Sequence, residues 1–105
     1  MTGSGMGLSS LHGQAAYSCS KAGVWTLVRI LTDGLRADGI AVNEVAPGPA
    51  RTAMTGMPQR EGSAVNNSVE WLKQPKDVVP LALFLATHPG PGPAGQSFSL
   101  MRRTF

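Results

Sequence analysis

Apolar residues recur at near-helical spacing from Gln14 to about Arg36, where Ala16, Val24, Leu27, Ile30, Leu31 and Leu35 mark a stripe along "QAAYSCSKAGVWTLVRILTDGLR". This predicts a long helix, the longest in the chain. Trp25, Val28 and Ile30 widen its apolar surface beyond one stripe, which predicts packing on two sides, against a sheet and against a second subunit. "ADG" at 37 to 39 stops the helix, with Gly39 free to take the left-handed conformation of a C-cap. After it, "IAVNEVAP" alternates Ile40, Val42 and Val45 as a strand does, and ends at Pro47-Gly48-Pro49. A helix that leads within a few residues into a strand is half of a βαβ unit, so the pattern predicts an α/β fold with a parallel sheet.

The remaining segments frame these two elements. Residues 1 to 13, rich in Gly and Ser, read as a loop before the helix. Residues 50 to 70 show weak periodicity and many small or polar positions, which predicts a mobile loop over a site. Asp77 starts a second helix, "DVVPLALFLATH", with Pro80 tolerated in its first turn. "PGPGPAG" at 89 to 95 forces an irregular turn, and "QSFSL" alternates Phe98 and Leu100 as a closing strand.

Composition narrows the function classes. A length of 105 residues suits one small domain, and 42% hydrophobic with 14% charged residues suits a globular one. The net charge of +3 raises a nucleic-acid partner, but only Arg102 and Arg103 are adjacent and aromatic residues are 6%, so no basic, aromatic-interleaved run exists to bind one. Cys19 is the single cysteine, which excludes an internal disulfide or a CxxC site and points to a reducing compartment. No leader pattern or membrane-length apolar run stands out, so the expected location is cytoplasmic, with no membrane partner. His12 and His88 are isolated, so no metal is expected.

Tyr17 and Lys21 lie four apart in the strongest helix and therefore share a face. An ammonium held near a phenol favours the phenolate, as an acid–base couple needs. From the pair alone, an ordinary amphipathic helix face is the better explanation of the spacing.

The surrounding residues go further. "GQAAYSCSKAGV" resembles the active-site helix of the short-chain dehydrogenase/reductases, which carry Y-x-x-x-K followed by small residues and an apolar helix. That family's catalytic serine lies thirteen residues before the tyrosine in S-x-x-G, and Ser4-Gly5-Met6-Gly7 matches it, whereas Ser9 and Ser10 fall at the wrong offset. "GIAVNEVAPGPARTAM" is similar to the family's sixth strand and the turn behind the nicotinamide, and "DVVPLALFLATH" with "GQSFSL" to its last helix and strand.

The resemblance implies hydride transfer between NAD or NADP and a small-molecule carbonyl or secondary alcohol, as in 3-oxoacyl reductases or sugar and alcohol dehydrogenases. It implies that Tyr17 exchanges the proton, that Lys21 favours its phenolate and binds the nicotinamide ribose, and that Ser4 polarises the substrate oxygen. Tyr17, Lys21, Pro47, Gly48 and Thr52 would be the cofactor-binding residues. The family's glycine-rich strand-turn-helix for the pyrophosphate has no match here; "GSGMG" at 3 to 7 has no strand before it and already serves as the serine loop. Residues 1–105 are therefore expected to form the C-terminal part of a Rossmann-like doubly wound parallel sheet, truncated at its N-terminal half, and homo-oligomeric in the full-length form. The alternative is a non-catalytic fragment that associates with another chain through its long helix.

Overall fold

The structure is a computed structural model and describes residues 1–8, 12–53 and 72–101. Ser9, Ser10, Arg102, Arg103 and positions 54–70 of the expected loop, with Met54 and Met57, lie outside the described residues. The chain begins extended, turns through a short 3-10 segment at Gly5–Gly7 and enters helix α1, Ala15–Gly34. A second 3-10 turn, Arg36–Asp38, precedes strand β1, Glu44–Ala46. Beyond a 3-10 turn at Pro75–Val78 come helix α2, Val79–Thr87, and strand β2, Ser97–Ser99. The two strands pair in parallel, Val45 opposite Phe98. The fold is the expected α/β type with a parallel sheet.

Four local expectations are corrected. The opening segment is not all loop: Gly3 N–H donates to the Val45 carbonyl at 2.9 Å and Val45 N–H to the Met1 carbonyl at 2.9 Å, so Thr2 bridges Val45 in parallel. Strand-like backbone thus does precede the serine turn. The strand after the long helix is shorter than Ile40 to Ala46, because the Asn43 side chain takes the place of ladder bonds. Its Nδ2 donates to the Pro93 carbonyl at 2.6 Å and its Oδ1 accepts from Gln96 N–H at 3.1 Å, so regular pairing starts only at Glu44.

The third correction concerns the packed face of α1. Val28 is fully buried as an apolar residue should be, but Ser18 is buried too, while Leu27 is 41% and Ile30 62% exposed. Small polar residues face the sheet because backbone comes close there; Thr32 Oγ1 donates to the Val42 carbonyl at 2.9 Å, and a Cβ on Gly95 would lie 3.2 Å from Thr32 Cγ2. Finally, the second helical region starts before Asp77. The Asp77 carboxylate accepts Gln74 N–H at 2.7 Å, opening the turn at Pro75 and leaving Pro80 in the first turn of α2, where its missing N–H costs nothing. Gly39 adopts the expected left-handed conformation, φ 69°.

Candidate active site

The first two turns of α1 carry Tyr17 and Lys21. Lys21 Nζ donates to the Thr2 carbonyl at 3.1 Å and lies 5.7 Å from the centre of the Tyr17 ring. The ammonium is therefore fixed between helix and strand, beside the phenol. Tyr17 is 38% exposed, and among the described residues its hydroxyl meets no hydrogen-bond partner, so it can be reached by a ligand.

Ser4 sits two residues beyond Thr2. Its backbone is extended, φ −162°, and its Oγ accepts Met6 N–H at 3.2 Å, capping the turn Gly5–Gly7. The hydroxyl hydrogen is left to donate elsewhere. The turn lies directly on α1: a Cβ on Gly7 would stand 2.8 Å from Ala22 N and from Lys21 C, so only glycine permits this approach. The serine turn and the Tyr17–Lys21 face are thereby locked together.

β1 delivers Pro47 and Gly48, with Gly48 at φ 72°, a conformation that favours glycine. Pro47 and Gly48 are half-buried, and Thr52 is exposed just past the Ala50–Lys73 bridge. Ser4, Pro47 and Gly48 thus all follow the carboxyl ends of parallel segments, the edge at which open α/β sheets bind ligands. The pairing of Thr2 with Val45 sets the Lys21 anchor beside the strand residue two positions before Pro47. A hydroxyl donor at Ser4, an accessible phenol and a fixed ammonium suit a nicotinamide ribose and a reacting oxygen.

Two features have no sequence signal. The partner of Lys21 is a backbone carbonyl, which any residue at position 2 supplies. Lys73 is fully buried, a place where a lysine is rarely found.

An α/β chain with a tyrosine–lysine pair set beside a serine turn at the strand ends has the form of a short-chain dehydrogenase/reductase. Residues 1–100 match the family described as Enoyl-(Acyl carrier protein) reductase, and the chain belongs to that family of short-chain dehydrogenase/reductases, as its motifs led one to expect. It is similar to a chloroplastic NADPH-dependent aldehyde reductase-like protein of Arabidopsis thaliana, 42% identical over 88 residues, 80% of this chain and 33% of that protein. A 3-oxoacyl-[acyl-carrier-protein] reductase of Synechocystis is 35% identical over 95 residues, 90% of this chain and 38% of the relative. A solved structure, a blue fluorescent protein from a metagenomic library in complex with NADPH, superposes with a TM-score of 0.82 at 28% identity, covering 96% of this chain and 42% of that one. The chain spans about a third of the length of these curated relatives. Among the described residues, no helix is long and apolar enough to cross a membrane.

Proposed function

We propose that residues 1–105 are the C-terminal catalytic segment of an NAD(P)-dependent oxidoreductase that moves a hydride between the cofactor and a carbonyl or secondary alcohol. The observation that carries this reading is the fixing of Lys21 on the Thr2 carbonyl beside an accessible Tyr17, at the strand ends where Ser4 also lies. The relatives' names, with NADPH, an aldehyde reductase and a 3-oxoacyl reductase among them, support the cofactor and a carbonyl substrate. We place the protein in the cytoplasm and, in its full-length form, in a homo-oligomer, for which the exposed Leu27 and Ile30 on α1 give a face.

When bound, a nicotinamide cofactor supplies or accepts the hydride. Ser4 donates its hydroxyl hydrogen to the substrate oxygen and orients it. Tyr17 gives a proton to that oxygen in reduction and takes it back in oxidation, and Lys21, held by the Thr2 carbonyl beside the ring, donates to the ribose. Pro47, Gly48 and Thr52 line the nicotinamide end.

The test is Tyr17→Phe in the native gene product, assayed with NADPH or NADH and an aldehyde or 3-oxoacyl thioester. Loss of the general acid should lower kcat about 10²- to 10⁴-fold while cofactor binding persists. A variant with wild-type kcat would sink the reading. The second reading, a non-catalytic chain that associates with another through its long helix, is favoured by the exposed Leu27 and Ile30 on α1, and it predicts no turnover by wild type or variant.

A further inference from the structure

Glu44 is 4% exposed, and its side chain lies on Gly3. A Cβ built on Gly3 would fall on the Glu44 carboxylate, at Oε1 and Cδ, and would stand 2.6 Å from Cγ. Gly3 is outside the left-handed region, so it is Glu44 and not the backbone conformation that bars a side chain there. Asn43, Val45 and Pro47 line a groove with Ala82 and Leu85 of α2. Side chains alternate along a strand, so Glu44 and Ala46 turn to the opposite face, where α1 packs on β1. Among the described residues the carboxylate makes no hydrogen bond or ion pair, so what Glu44 brings to Gly3 is volume. Gly3 N–H donates to the Val45 carbonyl at 2.9 Å, and Ser4 follows directly. The segment that presents the serine is thus seated on β1 by main-chain bonds and by the side chain of Glu44.

We propose that Glu44 is a positioning residue whose side chain takes the place of a Cβ at Gly3 and so sets where Ser4 stands against the substrate oxygen. The inference rests on the role proposed for Ser4. Glu44 N–H donates to the Gln96 carbonyl at 2.9 Å, a main-chain bond that alanine keeps, and β1 runs on to Pro47 and Gly48. The effect should therefore fall on turnover and spare cofactor affinity.

The experiment is a double-variant cycle in the native gene product: Glu44→Ala, Gly3→Ala and the two together, assayed with NADPH and an aldehyde or 3-oxoacyl thioester. Glu44→Ala leaves Gly3 uncovered and Gly3→Ala drives Glu44 from its place, so each should lower kcat about tenfold with the Kd for NADPH within about twofold. The double variant should recover to within about threefold of wild type, because the new Cβ enters the space that the carboxylate leaves. Glu44→Gln, which keeps the volume, should restore kcat, and in a Ser4→Ala background Glu44→Ala should lower kcat no further. Additive losses in the cycle, a Glu44→Gln as slow as Glu44→Ala, or a further loss on top of Ser4→Ala overturns the proposal while leaving the Tyr17 chemistry standing. Where a single variant does not fold, the double variant decides: a folded protein with kcat near wild type supports the pairing, and failure to fold overturns it. A wild type that reduces no carbonyl with NADPH or NADH sinks the role of Ser4 itself, and this inference with it.

Discussion

Replacing Gly7 with alanine tests whether close backbone approach holds the serine turn on α1. The added Cβ would lie 2.8 Å from Ala22 N and Lys21 C and 3.0 Å from Lys21 O. Carbon atoms prefer separations of about 3.5–4.0 Å, so the shortfall is roughly 0.7 Å or more. The obstructing atoms are helix backbone, which cannot swing aside as a side chain would. The turn must lift instead, at the usual cost of overpacking, about 1–3 kcal/mol. With a urea dependence of about 2 kcal/mol per molar, a loss near 2 kcal/mol lowers the unfolding midpoint by about 1 M.

Gly23→Ala supplies the control with the opposite sign. A Cβ there meets nothing within 4 Å, and the residue lies inside α1. Removing a glycine from a helix interior should stabilise by about 0.5–1 kcal/mol. Urea unfolding followed by circular dichroism reads both, and kcat/KM of the native gene product should fall about tenfold or more for Gly7→Ala alone, because Ser4 moves with the turn. A Gly7→Ala midpoint at or above wild type, or equal shifts for the two variants, would refute the reasoning.

Two further outcomes follow from burial and hydrogen bonding. Val28→Ala removes two carbons from a fully buried position and should cost about 2 kcal/mol, read as the same urea midpoint. Asn43→Ala deletes the bonds to the Pro93 carbonyl and Gln96 N–H, and should cost about 1–3 kcal/mol and speed exchange of the Gln96 amide, which loses its acceptor.

How much of this was legible in the sequence depended on whether the structure used side chains or backbone. The long helix, the left-handed Gly39 and the closing strand at Ser97–Ser99 followed from period, stop signal and alternation. The packed face of α1 did not, because apolar periodicity marks where hydrophobes lie and misses a buried Ser18 or a Thr32 bonded to the Val42 carbonyl. The length of β1 was overestimated because Ile40 and Val42 alternate well, while the Asn43 side chain claims the edge they would pair with. Of the site, the Tyr17–Lys21 pair was visible as spacing. Its anchoring was not, since the acceptor is the main-chain carbonyl of Thr2, and the hold on residues 49–51 is likewise main-chain, made by the N–H and carbonyl of Lys73 across a long sequence separation.

These contacts divide the site into two mechanical units. On one side, α1 carries Tyr17 and Lys21, and Gly7 locks the serine turn to the same helix. On the other, Pro47 and Gly48 follow β1, and the main chain of Lys73 holds residues 49–51, which lead to Thr52. The links that join them include the Thr2–Val45 bridge, with Lys21 hydrogen-bonded to one of its members, and the hydrogen bond from Thr32 of α1 to the Val42 carbonyl before β1. Under the proposed roles, the first unit moves the proton and the second holds the nicotinamide. Damage to Gly7 should therefore register in kcat, and damage to the turn at Gly48 in cofactor affinity. A change in the bridge should register in both, because it alters the distance between the phenol and the bound ring.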